Sequence, residues 1–214
     1  MNNGLAGKSV YAFGDSIVYG HVYPRSFVDL VAEYEGMTLT KFARNGATIG
    51  ADPRASGGQI RAQVDEAADI APDFVIFDGG TNDAQSIFRD RAYTIGTYAE
   101  ELEMTLHAMN QKWPTARTVY VAAHKLGSRD WGTQVALREV TLQACRKWDV
   151  AVADIFGDTT FDTRDDAQRA KYTFDDLVNG FPGAEGSGTH PNEAGITTFY
   201  VPVLSATLQR ISLR

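Results

Sequence analysis

Short apolar, β-rich runs alternate with longer amphipathic segments along most of this chain. Five such runs, typical of buried strands, cover residues 9–13, 38–42, 74–77, 118–123 and 150–156. Apolar residues recur at helical spacing in the segments 24–34, 59–70, 93–112, 133–148 and 191–210. Strands that alternate with helices predict an α/β protein with a parallel sheet and helices on both of its faces.

The remaining segment, residues 157–189, is rich in Gly, Asp, Thr and Asn and shows weak periodicity, which predicts a long loop or lid. Pro191 suits the first position of the last predicted helix, where a missing N–H costs nothing. The 214 residues hold no internal repeat, linker or low-complexity tract. We therefore expect a single domain over residues 1–214.

Composition excludes several classes of protein. Lys and Arg number 20 and Asp and Glu 27, and the resulting net charge of −7 disfavours a nucleic-acid partner. Cys145 is the one cysteine, so no internal disulfide is possible. The chain begins without an apolar signal region and has no run of about 20 apolar residues, so cytoplasmic location is the default expectation. The sequence leaves the oligomeric state open.

Glycine-rich groups follow three successive predicted strands. Gly14-Asp15-Ser16 follows the first strand, Asn45-Gly46 the second and Gly79-Gly80-Thr81-Asn82-Asp83 the third. Ligands of parallel sheets bind at the carboxyl ends of the strands, and these groups lie at those ends. A sharp turn at Gly14 would project the Ser16 hydroxyl there. The Asn82 amide is a neutral donor suited to a developing oxyanion.

A histidine lies at the start of the last predicted helix, in Gly188-Thr189-His190-Pro191-Asn192. The positive end of the helix dipole opposes protonation there and favours the neutral imidazole that a general base requires. Taken alone, each of these motifs is more often a turn or a helix cap than a catalytic group.

Taken together and in this order, the motifs resemble those of the SGNH hydrolases, also called GDSL-type esterases and lipases. The resemblance runs from Gly14 to about Gly195. It implies a three-layer α/β/α sandwich, flavodoxin-like, with a five-stranded parallel sheet in the order 2-1-3-4-5. It implies Ser16 as nucleophile and His190 as base, with Ser16, Gly46 and Asn82 forming the oxyanion hole. Position 18 is Val, so the G-x-S-x-G elbow of the α/β-hydrolase fold is missing.

One block departs from the family's pattern, which has Asp three residues before the histidine, where this chain has Ser187. That carboxylate holds the imidazole tautomer and stabilises the imidazolium. Three interpretations remain open. In the first, a carboxylate from Glu185, Asp175 or Asp176 takes the place of the family's Asp. In the second, a Ser–His dyad operates, and Ser187 or a backbone carbonyl orients His190. In the third, the protein is a non-catalytic relative, or Ser187 is an engineered change.

These features predict a serine esterase that cleaves short acyl esters, including carbohydrate acetyl esters, because no long apolar lid for a lipid chain is evident. A lysophospholipase, a thioesterase and a non-catalytic glycan-binding module are the alternatives. His124 at the end of the fourth strand is a candidate substrate contact, and His21 and Tyr23 are candidate pocket residues. We expect no cofactor and no metal, because the acidic residues after position 157 lack the spacing of a calcium loop.

Overall fold

Five strands form one parallel sheet in the computed structural model, which describes residues 4–21, 25–90, 93–174 and 186–213. The strands are β1 (Ser9–Phe13), β2 (Thr38–Lys41), β3 (Phe74–Phe77), β4 (Arg117–Ala122) and β5 (Ala151–Asp154). Their order is β2-β1-β3-β4-β5, and Val10 of β1 pairs with Leu39 on one side and Phe74 on the other. The predicted fold class and strand order are confirmed.

The helices connect these strands and follow them. They are α1 (Ser16–Tyr19), α2 (Phe27–Glu35), α3 (Ile60–Glu66), α4 (Thr81–Arg89), α5 (Ile95–Lys112), α6 (Trp131–Lys147), α7 (Ile155–Asp158), α8 (Asp166–Tyr172), α9 (Glu193–Gly195) and α10 (Val201–Ser212). A π-helical turn, Ile196–Tyr200, joins α9 to α10. Among the described residues, no helix is both long enough and apolar enough to cross a membrane.

Two apolar cores lie on opposite faces of the sheet because side chains alternate along each strand. Phe74 and Ile76 of β3 belong to the core formed with α2 and α10. Val75 and Phe77 of the same strand belong to the core formed with α3, α5 and α6. Both layers of helices therefore cover the sheet, and only its ends remain for a site.

Two predicted elements need correction. The expected loop over residues 157–189 contains helix α8, which Asp165 caps by accepting a hydrogen bond from the Gln168 N–H at 2.8 Å. Pro191 is not the first residue of the last helix. Asn192 is the N-cap, and its side chain accepts from the Gly195 N–H at 3.0 Å, while Pro191 pairs with Thr173 in an isolated bridge.

The short helices α1 and α4 begin directly after the glycine groups and were not predicted from the sequence. Gly14 has φ +150°, and an added Cβ would lie 1.9 Å from Asp78 Oδ1. Glycine is therefore required at this point, where the end of β1 passes against β3. This close approach of the backbone at Gly14 places the first turn of α1 at the carboxyl edge of the sheet.

Candidate active site

Ser16 is the first residue of α1 and lies at the carboxyl edge of the sheet. Asp15 caps this helix, and its carboxylate accepts from the Ile17 N–H at 2.8 Å. The Ser16 side chain is nearly buried, and its Oγ lies 2.9 Å from His190 Nε2. The two predicted catalytic residues, 174 positions apart, are thus within hydrogen-bond distance.

The two other predicted oxyanion residues lie beside the nucleophile. Gly46 has φ +77°, and an added Cβ would lie 2.1 Å from Ser56 Oγ. The hydrogen bonds among the described residues leave the N–H groups of Ser16 and Gly46 unused. The Asn82 amide donates to Ala47 O at 2.9 Å and lies 3.5 Å from Asp15 Oδ2. Because the second contact is weak, that N–H can turn to an oxyanion at little cost.

Three buried carboxyl groups lie beneath this side of the site. Burial raises the pKa of Asp15 to about 6 and raises the pKa of Asp78 well above its usual range, with the Asp15 charge adding to the second shift. Asp78 Oδ1 accepts from the Asp15 N–H at 2.9 Å. Burial also raises the pKa of Asp83, although Tyr93 and three backbone N–H groups oppose the shift by hydrogen bonding to it. These groups hold the backbone turns that carry Ser16 and Asn82.

The base itself has an unusual environment. His190 Nδ1 is buried, and no group in the described part of the chain lies within hydrogen-bond distance of it. The Ser187 hydroxyl accepts from the backbone N–H of His190 at 3.0 Å and of Thr189 at 3.2 Å. Ser187 therefore holds the loop backbone. It does not orient the His190 ring, which is the role that the dyad hypothesis had allowed it. Glu185, a candidate substitute acid, lies outside the described residues, as do Asp175 and Asp176.

Burial lowers the pKa of the His190 imidazole to about 2, and His21, Arg129 and His124 contribute in the same direction. The neutral base expected from the helix dipole is thus favoured mainly by desolvation. No described carboxylate raises this pKa. A histidine in this state is ready to accept a proton, but the imidazolium that forms is poorly stabilised.

Arg129 links the two sides of the site, and the sequence analysis did not identify it. Its Nε donates to Thr81 O at 2.8 Å, next to the oxyanion donor. Its Nη1 donates to Ser128 O at 3.0 Å, and the Ser128 hydroxyl shares a short hydrogen bond with that of Thr189, beside the base. No described carboxylate lies within ion-pair distance of the guanidinium. The sequence signal that could have identified Arg129 is its position in the loop after β4, at the edge of the sheet where ligands bind.

The structure separates the predicted substrate contacts from one another. His21 lies against the base, with its ring stacked on that of His190. His124 is buried, at 1% exposure, with Nδ1 2.7 Å from the Tyr200 hydroxyl and its ring stacked on Phe161. His124 also lines a small cavity beside Gly80 and Thr81, so its contact with substrate stays a prediction. Tyr23 lies outside the described residues.

A polar cleft of about 210 Å³ starts at Gly46 and Asn82, the two residues predicted to bind an oxyanion. One face of α4 forms a wall of this cleft, with Gln85, Ser86 and Arg89 following Asn82. Arg54 lies in the same cleft and pairs with Asp52. A substrate bound at the oxyanion hole and extending into this cleft would meet polar groups.

No cluster of His, Cys, Asp or Glu that could hold a metal ion is found in the described ranges. The groups that meet at the strand ends are a hydroxyl, an imidazole and neutral hydrogen-bond donors. This combination is suited to acyl transfer through a serine nucleophile.

Comparison with known proteins gives the same assignment. The model of the GDSL-like lipase/acylhydrolase family matches residues 12–196. No match is found among curated proteins. Similar solved structures include a protein from Lactobacillus plantarum, with 21% identity, a TM-score of 0.71 and coverage of 97% of both chains.

Two other similar structures come from Streptomyces. Phospholipase A1 from Streptomyces albidoflavus NA297 has 17% identity and a TM-score of 0.64, over 94% of this chain and all of that chain. An extracellular lipase from Streptomyces rimosus has 19% identity and a TM-score of 0.61, with the same coverage. The sheet order, the four motifs and the family match lead to one conclusion: the chain belongs to the GDSL-like lipase/acylhydrolase family, a group of esterase- and lipase-type hydrolases.

Proposed function

We propose that this protein is a serine esterase that hydrolyses short-chain acyl esters, including acetyl esters of carbohydrates. The 2.9 Å contact between Ser16 Oγ and His190 Nε2 is the observation that carries the proposal. Ser16 attacks the ester carbonyl while His190 takes its proton, and a tetrahedral intermediate forms. The N–H groups of Ser16 and Gly46 and the Asn82 amide receive the oxyanion.

The second half of the reaction uses the same groups. His190 returns the proton to the leaving alcohol as the intermediate collapses to an acyl-enzyme on Ser16. Water, deprotonated by His190, then attacks the acyl group, and His190 returns that proton to Ser16 Oγ as the bond to the serine breaks and the acid leaves. No metal or cofactor takes part in the proposed steps.

The tautomer of His190 limits this chemistry. Acting as a base, Nε2 must be free of hydrogen, so the proton lies on Nδ1, which has no acceptor among the described residues. An unpaired buried donor costs about 1–3 kcal/mol. The opposite tautomer, in which Nε2 donates to Ser16, is unproductive. Within the described part of the chain the catalytic groups are therefore a Ser16–His190 dyad, which we infer to be working but slowed.

The polar lining of the cleft supports a hydrophilic substrate over a long acyl chain. Arg89 and Gln85 follow Asn82 along the wall of this cleft. Sugar hydroxyls would find donors and acceptors there, whereas a lipid chain would leave those groups desolvated.

Covalent labelling tests the proposal without a choice of substrate. A fluorophosphonate probe should label wild-type protein at Ser16 and leave Ser16→Ala unlabelled. Hydrolysis of p-nitrophenyl acetate should fall about 10³-fold or more in Ser16→Ala, as expected for loss of a nucleophile. The acetate ester should be cleaved faster than the laurate ester.

The missing carboxylate is the one observation that favours the alternative, a non-catalytic glycan-binding module. Wild-type protein that resists the probe and hydrolyses esters no faster than Ser16→Ala would establish that alternative over the esterase. Binding of acetylated and deacetylated oligosaccharides, measured by calorimetry, would then be the next measurement.

A further inference from the structure

His21 lies flat against the proposed catalytic base. The centroids of the His21 and His190 rings are 3.4 Å apart and their planes differ by 4°. This is van der Waals contact over a whole ring face. The neighbouring ring of Phe174 lies 6.5 Å from that of His21.

The backbone of His21 is fixed to the nucleophile segment. Its N–H donates to Ser16 O at 3.0 Å, and its carbonyl accepts from the Asn45 amide at 3.3 Å. Its φ is +56°, in the left-handed region, where His and Asn occur several times more often than most residues. The ring of His21 is thus carried by the turn that ends α1.

The His190 loop is held against the same place from the other side. The Phe174 N–H donates to His190 O at 2.9 Å, and Phe174 O accepts from the Ser187 N–H at 2.7 Å. The stacked rings therefore connect two segments that are each anchored by backbone hydrogen bonds. A tilt of the His190 ring would have to displace one of them.

We propose that His21 is a positioning residue that performs part of the role of the missing carboxylate. The flat contact fixes the plane of the imidazole, so that Nε2 stays directed at Ser16 although Nδ1 has no described partner. The same contact keeps the imidazole in this plane while it takes the serine proton. This inference rests on the esterase function proposed above.

The electrostatics of the site limit what this contact can do. In addition to burial, both His21 and the guanidinium of Arg129 lower the pKa of His190, so neither of them favours the imidazolium. In the family's usual arrangement a carboxylate would favour the imidazolium. Here the ring of His21 supplies no such charge, and its role is to hold the plane of the imidazole.

Three variants separate the roles of the ring and the backbone. His21→Asn keeps tolerance of positive φ and removes the ring, whereas His21→Phe keeps a ring face that cannot titrate. We expect His21→Asn to lower kcat for p-nitrophenyl acetate about 10-fold with KM within about 2-fold, because loss of the ring contact misaligns Nε2 with Ser16 but leaves substrate binding unchanged. His21→Phe should stay within about 3-fold of wild type. Adding Ser187→Asp to His21→Asn should restore most of the lost kcat.

The proposal is overturned if His21→Asn keeps the wild-type kcat, if its loss is confined to KM, or if His21→Phe is as slow as His21→Asn while all variants melt like wild type. It is equally overturned if Ser187→Asp fails to rescue the Asn variant.

A measurement on the resting protein separates this inference from the proposed function. In proton NMR the stacked ring should move the His190 ring resonances upfield, an effect lost in His21→Asn and kept in His21→Phe. Absence of that shift overturns the stack whatever the activity. Wild-type protein that shows the shift and labels with fluorophosphonate, but whose kcat is insensitive to His21→Asn, contradicts the positioning role alone. Protein that resists the probe contradicts the esterase function.

Discussion

The nucleophile side and the base side of the site use charge in opposite ways. Beneath Ser16 and Asn82, the carboxyl groups of Asp15, Asp78 and Asp83 are all buried and hydrogen-bonded to backbone turns. Around His190 no described carboxylate is in contact, and the nearby full charge is the guanidinium of Arg129.

This contrast shows that acidic groups in an active site need not serve its chemistry directly. The three aspartates fix the shape of the oxyanion-binding edge, where small displacements would misalign the donors. Among the described residues, the contacts that hold the proposed base are the Ser187 hydroxyl, backbone hydrogen bonds and the His21 ring. We expect substitutions on the nucleophile side to lower the stability of the protein. On the base side, we expect an added carboxylate to raise the rate.

The strongest test of the first half of this comparison is Asp83→Asn. Asp83 accepts from the Gly50, Ile49 and Gly80 N–H groups at 2.9, 3.1 and 3.1 Å and from the Tyr93 hydroxyl at 2.5 Å. An amide would direct N–H groups at some of these donors, so we expect a loss of about 3 kcal/mol in the free energy of unfolding. Urea denaturation at neutral pH measures it.

Asp130→Asn is the matched control, because Asp130 caps α6 at the surface by accepting from the Thr133 N–H at 2.8 Å. Asn caps a helix as well as Asp does, so little change is expected. Equal stability of the two variants would show that Asp83 is not the anchor described here.

The second half of the comparison is tested by Ser187→Asp, which places a carboxylate beside the base. A general base works while it is neutral, so kcat/KM falls as the pH drops through the pKa of His190 in the free enzyme. Burial lowers that pKa in wild type, which places the acid limb well below neutral pH. The new carboxylate should raise the pKa, and move the limb upward, by about 1–3 units. The rate on the pH plateau should rise about 10-fold as the tautomer is fixed.

Ser187→Asn is its control, since it has the shape of Asp and can accept from the same backbone N–H groups but adds no charge. The pH profile of this variant should coincide with that of wild type. If the Asp and Asn variants shift alike, the effect is steric and the contrast in charge is not its cause.

The smallest effect is expected from Asp78→Asn. Burial raises the pKa values of Asp15 and Asp78 above their unfolded values, so the folded state binds more protons than the unfolded chain. Their contribution to stability is full below about pH 4 and is lost as the pH rises through the folded pKa, which for Asp15 is about 6. In Asp78→Asn the free energy of unfolding should decline less steeply with rising pH. At neutral pH it should stay within about 1 kcal/mol of wild type, because Asn can keep the hydrogen bond from the Asp15 N–H.

Urea denaturation from pH 4 to pH 8 measures both the slope and the offset. A decline as steep as that of wild type would mean that Asp78 does not titrate in this range. A loss of several kcal/mol at neutral pH would mean that Asp78 is held as a carboxylate.

The sequence was sufficient to predict the elements whose apolar residues form continuous or periodic runs. Buried strands such as β3 are continuous apolar runs, and the motifs at their ends locate Ser16, Gly46 and Asn82. The helices α1 and α4 were missed because they start inside glycine turns and, at 4 and 9 residues, show little periodicity.

The contacts of the base could not be predicted from local sequence. The stacking of His21 on His190 joins residues far apart in the chain, and only the folded backbone brings their rings into register. The same holds for Arg129, whose hydrogen bonds cross from the loop after β4 to the start of α4. Strand ends locate a site, but they do not determine the partners of the side chains within it.

The π-helical turn at residues 196–200 makes the last helix sensitive to length. Its final residue, Tyr200, places its hydroxyl 2.7 Å from His124 Nδ1, and Leu204 and Leu208 beyond it are fully buried. Each residue of an α-helix turns the chain by about 100°. A one-residue deletion within the turn would convert it to regular α-helix and keep this apolar stripe on the sheet, whereas a deletion within α10 would rotate every residue beyond it. Homologous chains with a regular α-helix here should therefore be one residue shorter between the catalytic histidine and the C-terminal apolar stripe.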